Sequence, residues 1–161
     1  MITNKELFDK VKFDAEVFYN TINYIHCPYL KTNIVFNAKG LDHIKMKTWN
    51  KSRSMSDQYF RLKFLKLVPG LLQLSGTLQD FHEKKCMERL KTRGKWQFKM
   101  IPVKYYGFIA IFNNIRIKII VKKIDGTAPY FWSVIPFWKT RNDVLTGQIK
   151  KVFHDGDLEN D

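Results

Sequence analysis

The chain has little with which to build a covalent or metallic framework. Its two cysteines, Cys27 and Cys86, lack metal-ligand spacing, and His26, His43, His82 and His154 are scattered rather than grouped with acids or thiols. This argues against a disulfide scaffold and a dedicated metal site, and no cofactor is expected. No uninterrupted apolar run approaches the ~20 residues of a membrane-spanning helix. Ile2-Thr3-Asn4-Lys5 stands where a secretory signal would place its apolar run. These absences point to a cytoplasmic protein with free thiols and no membrane association. There are no internal repeats, and a short acidic tail is the one low-complexity segment.

Acids are scarce as well. Lys and Arg number 28 against 15 Asp and Glu, a net charge of +13, and four of the acids crowd into residues 155–161. The rest of the chain is therefore more basic still, and such a body attracts polyanions. Nucleic acid ranks first, an anionic membrane second and an acidic protein third. At 161 residues, with 45% apolar and 15% aromatic content, the chain suits one domain with a real core. The division expected is an N-terminal helix covering the core (1–30), the main domain (31–140) and an extension ending in the acidic tail (141–161). A further expectation is that the tail folds over the basic face.

Helical spacing of Leu7, Val11, Val17/Phe18 and Ile22 predicts an amphipathic helix over residues 4–24, capped by Thr3 or Asn4 and ended by Cys27-Pro28. Residues 33–37 read as a short strand leading through Lys39-Gly40 into Gly40-Leu41-Asp42-His43-Ile44-Lys45-Met46-Lys47. On a helix His43 and Lys47 would share a face. Residues 49–56 form a polar basic loop with Lys51 and Arg53, and Ser54 or Ser56 caps a helix with Tyr59, Leu62 and Leu65 on its apolar stripe. After Pro69-Gly70, a helical pattern resumes at Leu71 and frays through 79–89, and 83–95 reads as an exposed, charged connection.

Beyond it the period becomes two. Residues 95–101, 104–112, 115–123 and 130–138 are predicted strands, with turns at Asn113-Asn114 and Asp125-Gly126 and a stop or edge at Pro136. Between 116 and 122, Ile117, Ile119 and Val121 alternate with Arg116, Lys118, Ile120 and Lys122, so one face is apolar and the other carries three cations. Helices followed by an antiparallel meander make the class α+β.

A basic strand face beside aromatics suits single-stranded nucleic acid, since cations follow phosphates and rings stack on bases. Arg116, Lys118 and Lys122 supply charge here, with Lys47 and Arg53, and Tyr105, Tyr106 or Trp132 supplies rings; Phe108, Phe112 and Phe131 are assigned to the core. If the polymer is RNA, its own 2′-hydroxyl can attack the adjacent phosphate, given a base, a charge stabiliser and an acid. His43 suits base or acid near neutral pH. Lys45, Lys47 and Arg61 suit charge stabilisation, and Ser133 can hydrogen-bond a phosphate oxygen. Strand parity sets Ser133 opposite Trp132, so the two face one site only if a bulge intervenes.

Gly40-Leu41-Asp42-His43-Ile44, Gln58-Tyr59-x-Arg61-Leu62, Tyr106-Gly107-Phe108-Ile109-Ala110 and Phe131-Trp132-Ser133-Val134-Ile135-Pro136 resemble the phage-type branch of the barnase/EndoU/colicin D/RelE-like nuclease group, over residues 34–138. The resemblance implies helices packed on a four-stranded antiparallel sheet and a metal-independent ribonuclease of the toxin or mobile-element type. It places His43, Lys45, Arg61 and Ser133 in the site. The function so expected is an endoribonuclease leaving a 2′,3′-cyclic phosphate on mRNA or tRNA, free or ribosome-bound, with an acidic antitoxin or immunity protein as partner. The alternatives are a non-catalytic RNA- or DNA-binding module and a toxin-like protein acting on another protein.

Overall fold

Alternation of inward and outward side chains begins at residue 80, earlier than the sequence pattern suggests, and it builds four of the six strands of the main sheet. The structure, a computed structural model, describes residues 4–136 and 158–159. Its first part runs α1 (Asn4–Thr21), β1 (Tyr24–Cys27), β2 (Thr32–Val35), α2 (Ala38–Lys45), β3 (Met46–Thr48), β4 (Lys51–Ser52), α3 (Met55–Phe64), one 3-10 turn (Leu65–Leu67) and α4 (Val68–Gln73). The second part is all strand: β5 (Asp80–Thr92), β6 (Lys95–Phe112), β7 (Ile115–Ile124) and β8 (Tyr130–Pro136).

The α+β class holds, but the sheet is not the four-stranded antiparallel one expected. Six strands pair in the order β1-β2-β8-β7-β6-β5. The meander β5 to β8 supplies four antiparallel strands, and β2 joins β8 in parallel through Val35 and Tyr130. α1 stops at Thr21, three residues short of expectation, because Tyr24–Cys27 pairs with β2 as an edge strand instead. β3 and β4 form a separate two-stranded sheet.

The segment 83–95 is not a loose connection. Its charges alternate with Cys86 and Leu90, which turn inward, while Lys85, Met87, Arg89 and Lys91 face out. Arg93-Gly94, both at positive φ, turn it into β6, as Asn113-Asn114 turn β6 into β7. The two strands expected at 95–101 and 104–112 are one, with Pro102 lying just where β6 runs past β7. Phe112, expected in the core, is 40% exposed beside the Asn113-Asn114 turn.

The main core lies between the helices and one sheet face, where Ile34, Ile44, Leu62, Leu65, Leu72, Ile117, Ile119, Phe131 and Phe108 are buried. Each such side chain contributes roughly 1.5–3 kcal/mol by leaving water. The opposite face carries a second cluster of Val103, Tyr105, Ile120, Ile124 and Tyr130, closed by Leu158. β7 is thus buried on both faces, and its supposed open cationic face does not exist. Lys118 is fully buried and Lys122 nearly so.

α2 is set directly on β8. Asn37 caps it by accepting from the Gly40 amide, and the Tyr19 hydroxyl donates to the Asn37 carbonyl at 2.6 Å. A Cβ at Gly40 would lie 2.2 Å from the Phe131 carbonyl oxygen and 2.8 Å from the Tyr19 hydroxyl. Only glycine permits this approach, and it aims the next turn of α2, at His43, across β8. Among the described residues no helix is long and apolar enough to cross a membrane.

Candidate functional site

His43 lies one turn beyond Gly40, and its ring stacks on Trp132 with centroids 4.0 Å apart and planes 17° apart. Trp132 reaches it through a bulge. Ile120 of β7 pairs with Ser133 and Val121 with Phe131, which leaves Trp132 as the extra residue on β8. The bulge resolves the parity conflict between Trp132 and Ser133. Trp132 covers His43, while Ser133 accepts a 2.7 Å hydrogen bond from Nη1 of Arg61.

Two buried arginines back the imidazole. Arg53, immediately before the Ser54 cap of α3, donates through Nε to the His43 carbonyl at 3.0 Å and lies 3.2 Å through Nη2 from His43 Nε2. A guanidinium has no acceptor, so Nε2 is the unprotonated nitrogen and the ring proton sits on Nδ1. Arg61 donates through Nε to Asp57 Oδ1 at 2.7 Å, and Arg53 approaches the other oxygen of that carboxylate at 3.5 Å. Burial, followed by the charges of Arg53, Arg61 and Lys122, pulls the His43 pKa from 6.5 down to about 3. At neutral pH His43 is an uncharged ring.

On its open side, His43 forms the wall of a pocket of about 580 Å³ shared with Trp132, Tyr130 and Lys122. The Lys122 ammonium lies 4.4 Å from the centroid of the Trp132 ring and 5.6 Å from that of Tyr105, and pairs with Glu88 at 2.8 Å. Lys39, Lys47 and Trp49 stand around the pocket, with Trp49 91% exposed. Among the described residues the buried hydroxyls of Tyr105 and Tyr130 have no hydrogen-bond partner, and burial raises the pKa of both phenols. The tail also reaches this place. The Trp132 indole donates to the Glu159 carbonyl at 2.9 Å, the Glu159 carboxylate pairs with Lys84, and Leu158 is buried.

No family model, curated protein or solved structure matches the chain.

The residues proposed from sequence divide into three groups. His43, Lys122, Trp132 and Lys47 line the pocket. Arg53, Arg61 and Ser133 lie behind it, touching His43 or one another, and are placed to position rather than to contact a ligand. Lys45, Arg116 and Lys118 stand apart from the lining residues. Lys45 pairs with Glu16 of α1 at 3.1 Å, Arg116 lies beside the Asn113-Asn114 turn, and Lys118 is spent on Asp80 at 2.9 Å with no exposed surface. The helical pairing of His43 with Lys47 fails because α2 ends at Lys45 and Lys47 belongs to β3.

Sequence reasoning missed Trp49, Lys39, Arg89 and Glu159. A tryptophan in a polar basic loop was the one available signal for Trp49. Among the described residues no group of three or more His, Cys, Asp or Glu is placed to hold a metal ion.

Proposed function

We propose that the chain is a cytoplasmic endoribonuclease of the toxin type, which binds a single-stranded stretch of mRNA or tRNA in the His43–Trp132 pocket and cleaves it by 2′-hydroxyl attack on the adjacent phosphate. The observation that carries this reading is the meeting of an uncharged imidazole, the Lys122 ammonium and the Trp132 and Tyr130 rings in one pocket of a strongly basic chain. Helices packed on the β5–β8 meander are compatible with the resemblance to barnase/EndoU/colicin D/RelE-like nucleases.

In this reading the substrate phosphate enters near Lys122 and Lys47, which stabilise its developing charge. Burial first, and then Arg53, Arg61 and Lys122, depress the His43 pKa; the phosphate's charge offsets the cations' share and so moves the pKa upward on binding. Withdrawal of the Arg53 N–H from Nε2, back onto its His43 carbonyl and Asp57 partners, frees that nitrogen to accept the 2′-hydroxyl proton. As the 2′-oxygen bonds to phosphorus the P–O5′ bond breaks, and the 5′-oxygen leaves with a proton taken from water in the open pocket, which gives a 2′,3′-cyclic phosphate and a free 5′-hydroxyl. An enzyme of this kind is dangerous to its host, and an acidic antitoxin or immunity protein is the partner it calls for.

A second reading is favoured by one specific observation. In the free protein Nε2 already receives the Arg53 hydrogen bond, and a ring so held suits a non-catalytic RNA-binding module in which His43 and Trp132 form a stacking wall. Incubation with total cellular RNA in EDTA, beside His43→Ala, separates the two. Discrete fragments with cyclic-phosphate ends, missing in the variant, establish cleavage. Intact RNA bound with a steep salt dependence, and still intact when ribosomes are added, supports the binding module.

A further inference from the structure

β6 does not end where β7 leaves it. Residues 95–102 continue past Val103, the last residue of β6 paired with β7, and among the described residues pair with β5 alone. The result is a two-stranded ribbon with two unlike faces. Cys86, Leu90 and Ile101 on the inner face pack on the second core, and Glu88 there pairs with Lys122. The outer face carries the opposed pairs Met87–Met100, Arg89–Phe98 and Lys91–Trp96. Its apolar groups are open to solvent: Trp96 is 61% exposed, Phe98 70%, Met100 59% and Met87 58%.

A contiguous run of large apolar side chains on a surface calls for a ligand, and the charges beside this one select it. From residue 84 to 104 the one acid is Glu88, which lies on the inner face. Glu83, outward on β5 just before Lys85, marks the near end of this stretch, and beyond it the outer face of the described ribbon presents Lys85, Arg89 and Lys91 with no further carboxylate of its own strands. A second copy of the chain would meet it with the same positive charge and be repelled. Trp96 and Phe98 project on one side of the strand roughly 6.6 Å apart, which admits a base between successive side chains. The Arg89 guanidinium lies 5.0 Å from the centroid of the Trp96 ring and also lines the His43 pocket, which joins the two regions.

We infer that the outer face of the β5–β6 ribbon is a second binding surface, holding a single-stranded stretch of RNA that continues from the pocket, with bases stacked on Trp96 and Phe98 and phosphates at Lys85 and Lys91. This rests on the RNA reading of the pocket and extends it to a substrate several nucleotides long.

The test uses the full chain and a 20-nucleotide 2′-O-methyl RNA carrying 4-thiouridine, which has no 2′-hydroxyl to attack and so is not consumed. With Trp96→Ser/Phe98→Ser, affinity is expected to fall about tenfold or more, with an unchanged circular dichroism spectrum and melting curve. In the unaltered chain, photocross-links are expected in the peptide bearing residues 96–100. With Lys85→Gln/Lys91→Gln, the slope of log affinity against log salt is expected to shrink by about 1.4. Undiminished affinity in Trp96→Ser/Phe98→Ser, with cross-links confined to the pocket, overturns this surface and leaves the RNA reading standing. Failure of the unaltered chain to bind the RNA overturns both. A change in self-association without a change in RNA affinity assigns the face to protein contact and overturns the inference.

Discussion

His43 is kept neutral by burial and by three cations, and the consequences are measurable at a single residue. Its pKa is about 3 in the folded chain against 6.5 ordinarily, so between these values the unfolded chain binds more protons than the folded one. Stability from this group is complete above about pH 6.5 and is lost as pH falls toward 3, at up to about 1.4 kcal/mol per pH unit. Urea midpoints at pH 7, 6, 5 and 4 should therefore fall more steeply for the native chain than for His43→Gln; equal slopes would show that the imidazole is not held in this way. On the proposed RNA cleavage the same shift has a kinetic consequence. Because kcat/KM reports the free enzyme, it should show no acid limb from His43 between pH 7 and 5. The limb in kcat should lie higher, since bound phosphate offsets the arginines' charge. His43→Ala should abolish cleavage and spare most of the RNA affinity. The residue types at this site were legible in the sequence, because His43 set among Lys45 and Lys47, with Trp132 on a distant predicted strand of a basic chain, already suggested RNA chemistry. Their partners were not. Nothing in the sequence shows that Lys118 meets Asp80, or that Arg53 and Arg61 converge on Asp57, because each contact joins side chains whose meeting depends on packing.

At the scale of elements, two features decide where those residues go. One is the bulge on β8, which brings Trp132 and Ser133 to the same cluster. Its possibility was readable from parity, but its presence depends on the pairing of β7 with β8. The other is the closing of β5–β6 over β7, which turned an expected cationic face into a buried one. The turns at Asn113-Asn114 and Asp125-Gly126 and the cap at Ser54 were legible because their chemistry is local. β5 was not, because its alternation is of charged residues with Cys86 and Leu90, and long charged side chains look like a solvated loop. The buried pair Lys118–Asp80 yields a test at this scale. Lys118→Ala leaves a carboxylate without its ammonium and is expected to cost about 3–5 kcal/mol, seen as a lowered urea midpoint. Lys118→Met with Asp80→Asn should recover much of that loss. Were the lysine instead a ligand for RNA, the single variant would lose affinity while keeping its midpoint. Gly40→Ala makes the complementary test of the α2–β8 contact. Backbone oxygen at 2.2 Å cannot yield as a flexible side chain can, so α2 must shift, with a lower melting temperature and weakened turnover expected together.

For the whole molecule the governing fact is charge asymmetry, with a strongly basic body and acids gathered at one end. Of that end, Leu158 and Glu159 are described, and both are engaged: Leu158 closes the second core, and Glu159 holds Lys84 through its carboxylate and Trp132 through its carbonyl. An RNA strand passing from the pocket toward the β5–β6 ribbon would meet this segment, since Glu159, Arg89 and Trp132 line the same cavity. A tethered acidic segment competes as a ligand at high effective concentration, and the competition weakens as salt screens it. Removing residues 158–161 is therefore expected to raise RNA affinity severalfold at low salt, with the gain shrinking as ionic strength rises. Because loss of Leu158 also opens the second core, Glu159→Gln serves as the milder variant. It keeps the carbonyl that receives the Trp132 indole and removes only the charge at Lys84, so it should give part of the gain with an unchanged melting temperature. Unaltered affinity in both, measured at 50 and 200 mM salt, would mean that the tail is a strut of the second core and does not screen the site.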